Sequence, residues 1–335
     1  MQVYSLLKLN RYLSNHRIKF LGLFLLHKTK KRYLAVHFDP INACNLRCKM
    51  CYFTDNDYVR KLKGTFNADE LPLLGKAVLS RALKLQIGCG TEPTLYKNLT
   101  DVFKIAKHYK VPHISLTTNG NLLTKEKINI YAEHGMNEII LSLHGVHQES
   151  YENFMQKGDY KKFLRVLQWI TELKATRKNL SLRINYTFNE DNFSELAEFF
   201  KIFGKYSINT LQLRPIVNLG NSSYQNFKMD GIIPVYNSLI HEIKMECKSR
   251  SITLLAAIDS KDLVIRKNPN SLLYGYSYCY ISPKDFWHKD FDWKNESYDS
   301  YAKRKKLTKE LIRNVFTSSS KIEEIQTENL NYKII

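Results

Sequence analysis

The sequence predicts an α/β fold in which βα units repeat around a parallel barrel. Two observations carry that reading. From residue 34 onward, short apolar runs alternate with stretches of helical period. A polar or glycine-bearing signal then follows the C-terminal end of each run, where a parallel barrel places its active face.

The elements are read in order. Residues 1–33 form a basic amphipathic arm, with Lys8, Arg11, Arg17, Lys19, Lys28, Lys30, Lys31 and Arg32 among Leu, Phe and Tyr and no acidic residue through position 38. The arm suits an anionic membrane surface, a nucleic acid, or a helix capping the main domain with a solvated basic face. The expected strands are Leu34–Ile41, Leu83–Gly88, His113–Thr117, Glu138–Leu143, Leu180–Thr187 and Thr210–Ile216. Between and after them come helices at Ala68–Arg81, Asn98–Tyr109, Thr124–His134 with Gly135 as its stop, Tyr160–Arg177, Ser194–Tyr206 and Pro234–Arg250. This divides the chain into an arm (1–33), a barrel (34–250) and a C-terminal extension (251–335).

Composition bounds the functional class. The 335 residues carry 51 Lys and Arg against 32 Asp and Glu, a formal charge of +19. Hydrophobic residues at 44% and charged residues at 25% are globular values, which excludes a disordered or fibrous chain. The apolar run Phe20–Leu26 is far shorter than the roughly 20 residues of a membrane span. It is followed by lysines rather than by a cleavage site. Six cysteines are too few and too unevenly spaced for a secreted disulfide scaffold, so the chain is expected in the cytoplasm.

Three of those cysteines, Cys44, Cys48 and Cys51, share one short loop after the first strand. Structural zinc takes four ligands, usually in pairs, and the nearest fourth thiol is Cys89 at the end of the second strand. A four-iron cubane held by three thiolates would keep one iron open for a substrate or cofactor. Further loops follow the later strands: Gly90-Thr91-Glu92-Pro93, Thr118-Asn119-Gly120, His144-Gly145, Asn189-Glu190-Asp191-Asn192 and Asn218-Leu219-Gly220.

The spacing Cys44-x3-Cys48-x2-Cys51, with Asn45, Leu46, Arg47, Met50 and Tyr52, resembles the radical S-adenosylmethionine (radical SAM) enzymes. It is similar in particular to the branch of peptide and protein modifiers such as the sulfatase-maturating enzymes. The resemblance covers roughly residues 34–220 and implies a partial (β/α)6 TIM-like barrel. It implies that Cys44, Cys48 and Cys51 ligate a [4Fe–4S] cluster whose fourth iron is chelated by S-adenosylmethionine (SAM). Met50 stands where an aromatic residue usually packs near adenine, a place a thioether can fill. Gly90, Thr91 and Glu92 stand where the family has Gly-Gly-Glu, whose backbone contacts the SAM amino group. By the same resemblance Thr118, Asn119, Ser142 and Asn185 are cofactor-binding. His144 replaces a usual Asp, as a proton carrier or a structural histidine. The arginine that steadies the SAM carboxylate in many relatives is Met155 here, with Lys157 or Arg183 as the substitute cation.

The implied chemistry is reductive cleavage of SAM to a 5′-deoxyadenosyl radical that abstracts hydrogen from a substrate, driven by an external low-potential donor such as a flavodoxin or ferredoxin. A peptide or protein substrate is favoured by the Cys loop. RNA and a lipid-linked molecule are the alternatives offered by the basic surplus and the arm. Only Cys247 and Cys279 remain beyond residue 220, too few for a second cluster. The ring-rich segment Tyr274–Tyr301 is read as a small subdomain or a substrate lid. A rival of another class is a non-catalytic protein binding zinc or an inert cluster.

Overall fold

The computed structural model describes residues 13, 15–218, 220–263, 266–268, 270–329 and 333–334. Lys8, Arg11 and Leu219 lie outside them. The core is a parallel sheet of eight strands: β1 (Leu34–Phe38), β2 (Ala82–Ile87), β3 (His113–Thr118), β4 (Glu138–Leu143), β5 (Ser181–Phe188), β6 (Thr210–Pro215), β7 (Thr253–Ala256) and β8 (Tyr278–Ile281). Their spatial order is β8-β1-β2-β3-β4-β5-β6-β7, and Lys333–Ile334 adds one antiparallel pairing outside β7. The first six strands in sequence are the six that the apolar runs predict.

The two additional strands come from residues past 250, so the sheet continues beyond the boundary read from the sequence. β7 is four residues long and follows the helix Ile233–Ser249 as a seventh βα repeat. β8 pairs with β1, residue for residue from Ala35↔Tyr278 to Phe38↔Ile281. Its Tyr-Cys-Tyr-Ile sequence is masked by the surrounding rings, and only its alternation places Cys279 and Ile281, both fully buried, in the core.

Alternation also explains the two faces of the sheet. Along β5 the burial pattern alternates strictly. Leu182, Ile184, Tyr186 and Phe188 are buried, and Ser181, Arg183, Asn185 and Thr187 are half-buried on the other face. Leu34, Val36 and Phe38 of β1 and Leu85 and Ile87 of β2 belong to the buried face as well. Helices Leu99–His108, Lys125–Glu133 and Tyr160–Thr176 cover that face with Val102, Phe103, Ile128, Phe163, Val166, Leu167 and Ile170. Their ends lie where the caps predict: Thr124 and Asp159 accept from backbone N–H groups of the first turns they open. The opposite face is a polar lumen.

The expected helix Ala68–Arg81 is broken into a 3-10 turn, one α turn and a π turn. A Cβ at Gly75 would stand 2.5 Å from the Tyr109 ring, so helix Leu99–His108 packs here by close backbone approach. The arm contributes helix His16–Lys28, whose Phe20 and Leu23 are buried. Buried Arg81 ties its end to the barrel, donating to the carbonyls of His27 and Lys31 and pairing with Asp299 at 2.7 Å. Tyr33 and Tyr298 share a buried hydroxyl hydrogen bond of 2.6 Å.

Because β8 covers the β1 edge, residues 34–250 are not expected to fold alone. A chain ending at Arg250 loses the burial of Ile281, worth about 1.5–3 kcal/mol by itself, together with the Tyr298 and Asp299 contacts. Circular dichroism melting should show no cooperative transition in that chain. A sharp transition matching the full chain's would show that the edge strands are dispensable.

Candidate active site

The loop after β1 carries Cys44, Cys48 and Cys51, all half-buried. Its course is set by backbone bonds on every side. Arg47–Cys48 pairs antiparallel with Met155–Gln156, Lys49 N–H donates to Phe154 at 2.9 Å, and Tyr224 N–H donates to Lys49 at 3.0 Å. Leu46 N–H points at the Cys44 sulfur (3.4 Å), and the Arg47 guanidinium donates to the Cys44 carbonyl at 2.9 Å.

Burial raises the Cys44 thiol to about 12, only partly offset by that N–H, and pushes Cys48 and Cys51 upward as well. Thiolates there need a cationic centre to hold them ionised, as a coordinating metal does. Among the described residues no three His, Cys, Asp or Glu side chains are placed to share one metal ion, so the donor set does not suit a single zinc. The chemistry of the donor set, three thiols on one loop, is that of an iron–sulfur cluster with one iron left open. Cys89, the fourth ligand that the zinc reading requires, lies instead 3.4 Å from His37 Nδ1.

Two buried carboxylates join this loop to its neighbours. Asp39, fully buried at the end of β1, accepts from Cys89 N–H (2.7 Å), Gly90 N–H (3.1 Å), the Thr91 hydroxyl (3.1 Å) and the Tyr280 hydroxyl (2.9 Å). Glu92 accepts from the Thr94 amide and hydroxyl, the Thr118 hydroxyl (2.7 Å) and Asn119 N–H (2.9 Å). Burial raises its pKa, with the Thr94 hydroxyl, the Asn119 amide and the Thr118 hydroxyl opposing. Glu92 N–H donates to Ala43 and the Asn119 side chain to Asn45, both at 2.9 Å, closing the mouth around the cysteine loop.

Gly90 is needed for close approach: a Cβ would stand 2.7 Å from the Tyr52 hydroxyl, which donates to the Gly90 carbonyl. Gly88 is needed for its positive φ of +83°, where a Cβ would lie 2.3 Å from the Thr117 carbonyl. Thr91 replaces a glycine without strain, and its hydroxyl becomes an Asp39 ligand.

The remaining expected residues divide. Ser142 and Asn185 are in register on β4 and β5, and Gln212 continues the row on β6. Arg183, on the lumen face one step below, donates to Asn185 at 2.8 Å and to Gln212. Lys157 instead sits exposed on a turn with φ of 70°. Met50 is buried in a small cluster with Phe154, Ile216 and Tyr224, apart from the main core. Thr118 and Glu92 spend their side chains on each other, so they act as braces whose backbone shapes the mouth.

His144 has a buried Nδ1 without a hydrogen-bond partner among the described residues, and its carbonyl accepts the Asn192 amide at 2.8 Å. Burial, then the Arg214 charge, lowers its pKa to about 4. It is neutral at pH 7.

Sequence reasoning missed Asp39, Tyr280, the Cys89–His37 pair and the lumen cation Lys84. Burial, then nearby Arg183, lowers the Lys84 pKa to about 8. Asp39 had one local signal, an acidic residue directly ending an apolar strand. The others show only once β1, β2 and β8 are side by side.

Replacing Asp39 with Asn turns an acceptor-only group toward donors with an NH2, and unfolding free energy should fall by about 2–3 kcal/mol. Urea titration checks this, and a loss below about 0.5 kcal/mol would remove Asp39 as the brace. For His144 the folded pKa lies below the usual 6.5, so the unfolded chain binds more protons between those values and stability falls as pH drops from 6.5 toward 4. His144→Gln should therefore unfold less steeply with acid over that window than the parent, measured as the urea midpoint against pH. Parallel curves would show that His144 does not couple.

Comparison with known proteins agrees with the site. Residues 38–201 match the radical SAM superfamily. A GTP 3′,8-cyclase of Clostridium perfringens is 29% identical over 180 residues, which are 52% of this chain and 54% of that protein. The chain thus spans about half the length of the curated relatives it matches. In fold it is similar to Streptococcus suis SuiB bound to S-adenosylmethionine (TM-score 0.57, 17% identity, 81% of this chain and 64% of that one). It is also similar to anSMEcpe with AdoMet and the Cp18Cys peptide (TM-score 0.56, 16% identity, 86% and 84%). The cysteine loop thus lies at the mouth of a parallel barrel and within the segment, residues 38–201, that matches the radical SAM superfamily.

Proposed function

We propose that the chain is a radical SAM enzyme working with a single [4Fe–4S] cluster held by Cys44, Cys48 and Cys51. The observation that carries this is the placing of three half-buried thiols on one braced loop at the barrel mouth. When bound, the cluster and SAM supply one-electron cleavage to a 5′-deoxyadenosyl radical and hydrogen abstraction from the substrate.

The chain's own residues bind, orient and exclude water. Gly90 and Thr91 present a backbone edge stiffened by Asp39, Ser142 and Asn185 offer polar groups from the lumen wall, and Met50 offers an apolar surface beside the Cys loop. Arg183, which donates to Asn185 and Gln212, places positive charge on that wall beside Lys84. Cys247 and Cys279 are both buried in the apolar core, which supports a single cluster.

The substrate we favour is a peptide or protein, in keeping with the cysteine loop's resemblance and with the peptide bound by the similarly folded anSMEcpe. A second reading, a nucleotide or other small anion, is favoured by the lumen cations Lys84 and Arg183 and by the cyclase name of the sequence relatives. The partners on this reading are an external flavodoxin- or ferredoxin-like donor and, through the basic arm, the periphery of a membrane. The location is the cytoplasm.

The test is 5′-deoxyadenosine formed from SAM after anaerobic reconstitution with iron and sulfide and reduction with dithionite. Product is expected from the parent chain and none from Cys48→Ala, which should also fail to take up a cluster while keeping its far-UV circular dichroism. Product from Cys48→Ala would overturn the ligand assignment. No product from a parent chain with a verified cluster would favour the non-catalytic reading.

A further inference from the structure

We propose that helix His16–Lys28 and helix Leu307–Phe316 together form a docking surface for an anionic lipid bilayer. The proposal extends the arm's membrane contact to a second helix and is independent of the reductive chemistry at the mouth.

Each helix already buries one face. Phe20 and Leu23 of the first, and Leu307 and Leu311 of the second, belong to the core. The outward face of such a helix is ordinarily charged, yet here Ile18, Leu21 and Leu25 line it with fractional exposures of 51%, 46% and 51%. Leu26 widens the stripe. On the second helix Ile312 and Phe316 are exposed at 41% and 79%. His16 Nε2 lies 3.1 Å from the Thr317 carbonyl, so the start of one helix meets the end of the other. Six large apolar side chains thus share one region of the surface, a concentration that marks an interaction site.

Charge chooses the occupant. Exposed Arg17, Lys28, Lys30 and Lys31 flank the first stripe, and exposed Lys309 and Arg313 flank the second. A second copy of the chain would bring the same positive surface against itself. RNA would answer the lysines and leave the apolar side chains in water. A bilayer with anionic headgroups answers both, with the helices lying in its interface. No helix among the described residues is long and apolar enough to cross a membrane.

The position of the patch is also informative. Arg81, directly before β2, holds the carbonyls of His27 and Lys31, so the first helix ends at the foot of the strands. The cysteine loop is at their other end. Docking there leaves the mouth open to a substrate and to an electron donor.

The experiment is flotation of the full chain with vesicles of phosphatidylcholine alone and of phosphatidylcholine mixed with phosphatidylglycerol. The parent chain should float with the anionic vesicles and not with the neutral ones. Leu21→Gln with Leu25→Gln, and separately Phe316→Gln, change neither charge nor a buried residue. The double variant should bind about tenfold more weakly and Phe316→Gln several-fold more weakly, each with unchanged far-UV circular dichroism. Undiminished binding of both would overturn the proposal. So would a parent dimer, seen by light scattering, that the double variant turns into a monomer, since that assigns the patch to a second copy. Tighter binding to single-stranded RNA than to vesicles, unaffected by the glutamines, would assign the basic surface to nucleic acid instead.

Discussion

Two carboxylates without access to water, Asp39 and Glu92, hold the mouth of this barrel together. A carboxyl group taken from water is tolerated only when its oxygens are hydrogen-bonded, and each meets that demand with donors from neighbouring segments. Asp39 collects the loop after β2 and a tyrosine from β8. Glu92, from that same loop, collects the end of β3. Four strand ends that are distant in sequence are thereby fixed against one another, and the cysteine loop is laid across them through Ala43 and Asn45.

That arrangement explains why so few of the polar residues at the mouth are free to move. Thr118 and Thr94 are spent on Glu92, Thr91 on Asp39, and the Asn189–Asn192 loop on its own turn and on the His144 carbonyl. A reaction that must keep water and stray hydrogen donors from a reactive species benefits from such preorganisation, because the walls pay no reorganisation cost when the substrate enters. The lumen below carries the chemical variety: Lys84, Arg183, Asn185, Gln212 and the Cys89–His37 pair line it. Braced rim and polar wall are separate layers, as in other barrels whose chemistry varies on a common frame.

The outer surface follows a different logic. Exposed Arg17, Lys28, Lys30, Lys31, Lys309 and Arg313 lie on or beside the first helix and its partner near the end of the chain. The two helices meet only because the chain closes on itself, with Tyr298 and Asp299 returning to Tyr33 and Arg81.

Local patterns in the sequence were enough for the six leading strands, for helices such as Leu99–His108, Lys125–Glu133 and Tyr160–Thr176, and for the gathering of three cysteines on one loop, but not for the breaks in Ala68–Arg81 and Ser194–Tyr206. Apolar alternation, caps and ligand spacing are properties of neighbouring residues and survive without a fold. The glycines at 88 and 90 were legible as a loop, but their reasons, the Thr117 carbonyl and the Tyr52 hydroxyl, were not. Tertiary structure alone decided that Tyr278–Ile281 is a strand, since its partner β1 lies some 240 residues earlier and its own pattern is hidden among rings. It alone made Asp39 the brace, sent Cys89 to His37 rather than to the cysteine loop, and brought His16 to Thr317. Each depends on a contact between distant segments, and the energy of such a contact is written in no single stretch of the chain.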